Sequence, residues 1–322
     1  MIIFSLKVFK KAIEMGKKIG IIGAGPAGLT AGIYCARGGF ETVLFAGPQP
    51  GGQLLLTTDV ENYPGFSTPI QGPFLMEQME AQAVSCGCQI KYESVHSVDF
   101  SGPSFQVHAQ ESHVFDAVII ATGASSKWLG LESETFFRGF GVSACAVCDG
   151  GFFKGKDVAV VGGGSAAVEE ALYLARHCKN VFLLHRRDAL RAEKVLQQRL
   201  ERSPNIHILW NHIVKEILGQ EKPKKVTSLR LQNLLTEEVY QKPIDGIFIA
   251  IGHHPNTELF RDTLTLDPAG YIVCEKGTCF TNIPGVFAAG DVMDPHYRQA
   301  VTAAGLGCMA ALDAGIFLES KE

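Results

Sequence analysis

An excess of either charge is the first thing this chain lacks: 29 Lys and Arg stand against 33 Asp and Glu, for a formal net charge of −4. A nucleic-acid binder needs a basic face to neutralise phosphates, so that class of partner is excluded. Uninterrupted apolar runs of the roughly 18 residues that cross a bilayer are also lacking, and no membrane partner is expected. Charged residues are scarce at 19% against 46% apolar, which excludes a disordered chain. Nine cysteines, an odd number in 322 residues, argue against a secreted disulfide framework and for a reducing cytoplasm. Cys35, Cys178 and Cys308 fall in apolar helical patterns and read as small core residues. Cys86 and Cys88 have no nearby His or further cysteine pair to complete a zinc site.

What the chain has is glycine, 35 of them, in a length that suits two domains. Lys18 to Ile22 is a short apolar run ending in Gly23-Ala24-Gly25-Pro26-Ala27-Gly28, after which Leu29 to Arg37 follows a helical pattern. That order, strand then glycine turn then helix, is the dinucleotide-binding fingerprint. Gly23 and Gly25 let the backbone turn tightly and approach a pyrophosphate, Gly28 lets the helix lie close to the strand, and the helix N-terminus faces the anion. Glu41 to Phe45 reads as the next strand. An acid to hold an adenosine ribose is expected at its end, but Leu44-Phe45-Ala46 stands there and Glu41 is at the opposite end. Backbone or the polar loop from Gly51-Gly52-Gln53 to Asn62 must then serve the ribose.

The plan recurs. Asp157 to Val161 is again an apolar strand, followed by Gly162-Gly163-Gly164-Ser165-Ala166-Ala167, a helix from about Ala166 to Arg176, and a strand from Asn180 to Leu184. Asp245 to Gly252 repeats the frame of Asp116 to Gly123 with Asp, Ile, Ala and Gly in matching places, so two copies of one unit are expected. In the second copy the strand ends in His185-Arg186-Arg187, with Arg191 one turn on. Arginine there accommodates a 2′-phosphate that an acid would repel, so this copy is expected to bind NADPH. The first copy then takes another dinucleotide, and FAD suits an enzyme that also carries a dithiol. Gly290-Asp291, closing the apolar run Val286 to Ala289, places an acid for flavin ribitol hydroxyls. Arg298-Gln299-Ala300 opens a helix running to about Leu312, whose N-terminus faces the flavin.

Between the copies lies Cys145-Ala-Val-Cys148-Asp149, a pair suited either to a redox disulfide or to half of a metal site. Cys274 and Cys279 are too widely spaced to complete the latter. The expected fold is α/β, with two Rossmann-like domains. The NADPH domain, 128–253 with the Cys-x-x-Cys, is inserted into a split FAD domain, 1–127 and 254–322. Residues 1–17 form an extension. It interleaves Ile2, Ile3, Phe4, Leu6, Val8 and Phe9 with Lys7, Lys10 and Lys11 and lacks the order of a signal peptide. A start at Met15 is preferred over a short amphipathic helix.

Taken in order, Gly23 to Gly28, Gly51-Gly-Gln53, Cys145 to Asp149, Gly162 to Gly164, His185-Arg-Arg187 with Arg191, and Gly290-Asp291 with Arg298-Gln-Ala300 resemble the low-molecular-weight thioredoxin reductases of bacteria, plants and fungi. The resemblance implies hydride transfer from NADPH to FAD, reduction of a Cys145–Cys148 disulfide, and exchange with thioredoxin. By the same resemblance Cys148 lies next to the flavin, Cys145 attacks thioredoxin and Asp149 protonates the leaving thiolate. It further implies a homodimer and a rotation of the inserted domain between two states. Ser165-Ala166-Ala167 departs from the family, where a more polar pair is common. A flavin enzyme serving another disulfide or ferredoxin, and a zinc-binding protein without activity, are the alternatives.

Overall fold

A computed structural model describes residues 16–47, 50–56 and 59–320, and the expectations for the amino-terminal segment 1–15 lie outside the described residues. The chain divides into two compact units: one ends its first part at Ser125 and resumes at His254, and the other is Ser126–His253.

The first unit is built on a parallel sheet in the order Val286–Ala288, Ala117–Ile120, Lys18–Ile22, Glu41–Phe45, Gln89–Lys91. Strands buried on both faces read as continuous apolar runs, and Ala117–Ile120 and Val286–Ala288 are wholly buried. Helix Pro26–Arg37 covers one face, together with Gly72–Ser85 and Ala300–Ser320. The other face packs Phe45, Phe105, Phe115 and Phe260. A three-stranded antiparallel sheet, Ser97–Asp99, Phe105–His108 and Ser112–Phe115, precedes the Ala117 strand.

The second unit repeats the order: Val142–Ser143, Gly246–Ile249, Asp157–Val161, Asn180–His185, Ile206–Trp210, all parallel. Helix Ser165–Leu174 covers the face with Val158, Val160 and Leu183. An antiparallel sheet of three strands, His212–Glu221, Lys224–Asn233 and Val239–Pro243, again precedes the Gly246 strand. The two units therefore share the strand order of their parallel sheets and differ in where the edge strand comes from. In the first it arrives from the carboxy-terminal part of the chain, and in the second from the segment just before the cysteine pair.

Three element bounds differ from expectation. The second glycine-loop helix is Ser165–Leu174, ending before Arg176. The second strand of that unit extends through His185. The last helix is 21 residues long, Ala300–Ser320, and passes Leu312 because Asp313 does not interrupt it: one carboxylate oxygen accepts the Cys279 N–H at 2.8 Å. By length and composition alone this helix could cross a membrane. It instead buries Ala303, Ala304, Gly307, Ala310, Ala311, Ala314 and Leu318 in the first unit's core. Gly307 is required there, because a Cβ would lie 2.0 Å from the Ala27 carbonyl oxygen.

The chain passes between units through Ala124–Ser126 and His253–Pro255, which pair as a two-stranded ribbon. Asn256 ties the first unit's two parts together. Its side-chain amide donates to Thr122 O at 2.8 Å and its own N–H to Gly123 O at 3.0 Å, while Thr122 Oγ1 donates to Asn256 O at 2.7 Å.

Candidate active site

Each unit carries the same glycine-loop architecture. Gly23 N donates to Phe45 O at 2.9 Å and Gly162 N to Leu184 O at 3.1 Å, locking each loop to the end of the next strand. A Cβ on either glycine would come within 2.4 Å of a backbone carbonyl oxygen, that of Ala121 or Ala250, and both have positive φ. Gly25 and Gly164 are different: nothing lies within 4 Å of the position a Cβ would take. Each is the N-cap of its helix, with no side-chain cap and no acid in the first turn. The cap of each helix is thus bare of side chain and borders open space, which fits a pyrophosphate at each loop.

The loop after the second strand also reaches the same place in both units. Gly51 N donates to Ala24 O at 3.1 Å and Arg191 N to Gly163 O at 2.7 Å.

Around the first loop the chain gathers residues far apart in sequence. Gly52 borders Gly25, and Gln53 follows on an exposed short helical turn, Gly52–Leu56. Gly290, at φ +78°, lies against Ala27, where a Cβ would be 2.8 Å from the alanine's own. The Asn62 amide donates to Gln299 Oε1 at 3.2 Å. Gln299 precedes the last helix, receives Ala303 N at 2.9 Å on its carbonyl, and follows Arg298 at φ 48°. Asp291 is half-buried, and burial, then the nearby Asp294, raises its carboxyl to about 6. Glu41 is exposed at the far strand end and paired with Lys18 at 2.8 Å, so it takes no part.

Around the second loop, Arg186, Arg187 and Arg191 are exposed, and none is in an ion pair among the described residues. Ser165 Oγ accepts the Glu193 N–H at 3.3 Å. Ala166 follows it in the helix. His185 lies apart from the exposed arginines. Its ring is buried against Gly163, where a Cβ would be 2.1 Å away, and its Nε2 lies 3.1 Å from Ala189 O. Burial pushes its pKa down, so the neutral ring shapes the loop.

Cys145 and Cys148 are joined in a disulfide, with 5.3 Å between Cα atoms. The bond takes both sulfurs that a shared metal site would have needed. The turn forms because Cys145 caps the short helix Ala146–Asp149: its Sγ accepts the Cys148 N–H at 3.2 Å, and its carbonyl the Asp149 N–H at 3.1 Å. An N–H aimed at sulfur stabilises negative charge there once the bond opens. Asp149 is half-buried, and burial raises its carboxyl above the ordinary range. Ser143, whose hydroxyl accepts the Cys145 N–H and which is absent from the expected site, could have been found only from its position two residues before the pair. Two buried thiols are poor competitors, since burial pushes Cys88 and Cys279 up to about 12.

A family model described as pyridine nucleotide-disulphide oxidoreductase matches residues 17–307. A thioredoxin reductase of Rickettsia conorii is 55% identical over 308 residues, covering 95% of this chain and 99% of that protein. One from Coxiella burnetii is 49% identical over 308 residues, covering 93% and 96%. Among solved structures, thioredoxin reductase from Giardia duodenalis superposes with a TM-score of 0.89 at 43% identity, covering 94% of this chain and 99% of that one.

Proposed function

The chain belongs to the pyridine nucleotide-disulphide oxidoreductases and, among them, to the low-molecular-weight thioredoxin reductases, and we propose from this that it is an NADPH-dependent thioredoxin-disulfide reductase working through Cys145 and Cys148. The observation that carries the reading is a disulfide capped by its own backbone N–H, beside a half-buried acid, in a chain with two open glycine loops.

FAD and NADPH are the cofactors of this family. The chemistry they supply when bound is transfer of a hydride from NADPH to FAD and of two electrons onward to the disulfide. The FAD domain is the unit containing Gly23, Gly25, Pro26, Ala27, Gly28, Gly52, Gln53, Asn62, Gly290, Asp291, Arg298, Gln299 and Ala300. The loop from Gly23 to Gly28 faces the pyrophosphate, and Asp291 accepts from ribitol hydroxyls. The inserted unit takes NADPH at Gly162, Gly164, Ser165 and Ala166. Arg186, Arg187 and Arg191 take its 2′-phosphate, with His185 shaping the loop beneath.

With the disulfide open, the Cys145 thiolate attacks the thioredoxin disulfide. One thioredoxin sulfur is bonded to Cys145 and the other leaves, taking a proton from Asp149. Cys148 then attacks the Cys145 sulfur, which re-forms the internal disulfide and releases the second thioredoxin sulfur. Raised by burial, Asp149 holds a proton to give at a pH where an ordinary carboxylate does not.

Purified protein is expected to be yellow and to reduce thioredoxin with NADPH, with little turnover of glutathione disulfide or a peroxiredoxin. Preference for either of those over thioredoxin would overturn the assignment of acceptor. Gly28→Ala places a Cβ 1.9 Å from Gly23 O, and neither atom belongs to a flexible side chain. Overpacking of this kind costs on the order of 1–3 kcal/mol or more, concentrated at the FAD loop. The variant is expected to purify with less than about half the wild-type flavin per chain; full flavin content would refute the loop's role.

The protein is a cytoplasmic homodimer in this reading. Val301, Met309, Leu312 and Ile316 form one exposed apolar stripe along the last helix, which a second copy would cover. Sedimentation at twice the chain mass is expected, and a monomer at micromolar concentration would exclude it.

A further inference from the structure

Outside the sites described above, a cleft of about 390 Å³ lies wholly within the inserted unit. It is lined by Leu172 and Arg176 around the end of helix Ser165–Leu174, and by Arg199, Arg202, Ser203 and Asn205 from the end of helix Lys194–Glu201 and the turn after it. No Asp or Glu is among its lining residues. Small-molecule sites run from roughly 300 to 1,000 Å³, so the cleft has room for more than a single ion.

Cations often gather at helix C-termini, where they meet free carbonyls and the negative end of the dipole. That duty is already filled here. Leu200 O accepts the Ser203 N–H at 3.0 Å and Arg199 O the Ser203 hydroxyl at 3.1 Å, while the Asn205 amide donates to Ala175 O at 2.8 Å and Cys178 O at 3.2 Å. Arg176, Arg199 and Arg202 are exposed, and none is in an ion pair or a side-chain hydrogen bond among the described residues. Three guanidinium groups thus line one cleft with no protein partner.

The cleft is separate from the NADPH loop. Helix Ser165–Leu174 starts at that loop and is 10 residues long, so at about 1.5 Å per residue its two ends stand roughly 15 Å apart. We propose that the cleft is a further anion site, taking the linked phosphates of a nucleoside di- or triphosphate or of an inorganic polyphosphate. Arginine suits this ligand, because its planar fork pairs two N–H donors with two phosphate oxygens where lysine offers a point charge. Like charges brought together repel, and an anion of several charges removes that repulsion. A lone carboxylate carries a single charge, so linked phosphates match three neighbouring guanidinium groups better. Leu172, Ala175 and Pro204 add an apolar wall for a nucleoside.

The test is calorimetric titration of the FAD-loaded protein with inorganic tripolyphosphate and, separately, with ADP, in saturating NADP+ so that the Arg186, Arg187 and Arg191 site is filled. One anion per chain is expected to bind with a Kd of roughly 0.1 mM or tighter at low salt. Arg199→Gln combined with Arg202→Gln is expected to weaken binding at least about tenfold, through the loss of charge-assisted bonds. Arg186→Gln combined with Arg187→Gln is expected to bind tripolyphosphate as wild type does. Tighter binding of ADP assigns the phosphates to a nucleotide and tighter binding of tripolyphosphate to the inorganic chain, and either upholds the site. No saturation up to about 10 mM would overturn it, as would undiminished binding after loss of Arg199 and Arg202, or lost binding after loss of Arg186 and Arg187. Thioredoxin turnover without added anion is expected to stay at the wild-type rate in the Arg199→Gln, Arg202→Gln protein, which checks its fold. If that pair of substitutions prevents folding, Arg176→Gln is read by the same loss of affinity.

Discussion

Replacing Cys148 by serine is expected to abolish thioredoxin reduction while NADPH still bleaches the flavin absorbance. Cys145→Ser should do the same. The loss should be roughly 1000-fold or more, because exchange through a disulfide needs both sulfurs and a hydroxyl neither carries the bond nor leaves as a thiolate. The buried thiols cannot take over. Cys35, Cys88, Cys178 and Cys279 are buried, and burial places Cys88 and Cys279 near 12 and Cys178 near 11, far from the thiolate range at neutral pH. Rapid mixing with NADPH reads the first half-reaction and steady-state turnover of thioredoxin reads the second. Normal turnover in either variant would show that the electrons travel by another path.

The second large effect concerns nucleotide choice. Neutralising Arg186 and Arg187 together should raise KM for NADPH between about 10- and 100-fold while leaving NADH within a few-fold. The difference comes from losing charge-assisted bonds to the 2′-phosphate that NADH does not have. Both arginines are exposed at the end of strand Asn180–His185 and are in no ion pair among the described residues. They carry no structural duty that their loss would confuse with binding. High salt should reduce the wild-type preference as well, since exposed charges are screened. Equal losses for both nucleotides would assign these arginines to the general fold of the loop instead.

His185 shows why part of the site was illegible. In the sequence it stands at the head of the triplet His185-Arg186-Arg187 and reads as part of the nucleotide site. A strand alternates its faces, so His185 points inward where Arg186 cannot follow, and burial leaves its ring neutral against Gly163. The last helix runs past Leu312 into Asp313, whose carboxylate accepts the Cys279 N–H from outside the helix. Both cases turn on contacts between residues distant in sequence, which periodicity does not carry.

Local backbone requirements were legible. Gly23, Gly28 and Gly162 lie where a Cβ would strike backbone or a core side chain within 2.5 Å, and only glycine meets that demand, so the two loops and their strands could be placed from residue type alone. The repeated Asp-to-Gly frames marked the duplication as well, ending at Gly123 and Gly252, which both take a positive φ. The place of the dithiol was decided by tertiary structure. Val142–Ser143 fills, beside Gly246–Ile249, the edge position that Val286–Ala288 fills beside Ala117–Ile120 in the other unit. The turn Cys145–Asp149 therefore stands in its sheet where Gly290-Asp291 stands in the first. Parallel pairing joins strands however far apart they lie in the chain, so that equivalence, and the hold of the Ser143 hydroxyl on the Cys145 N–H, exists only once the sheet has formed.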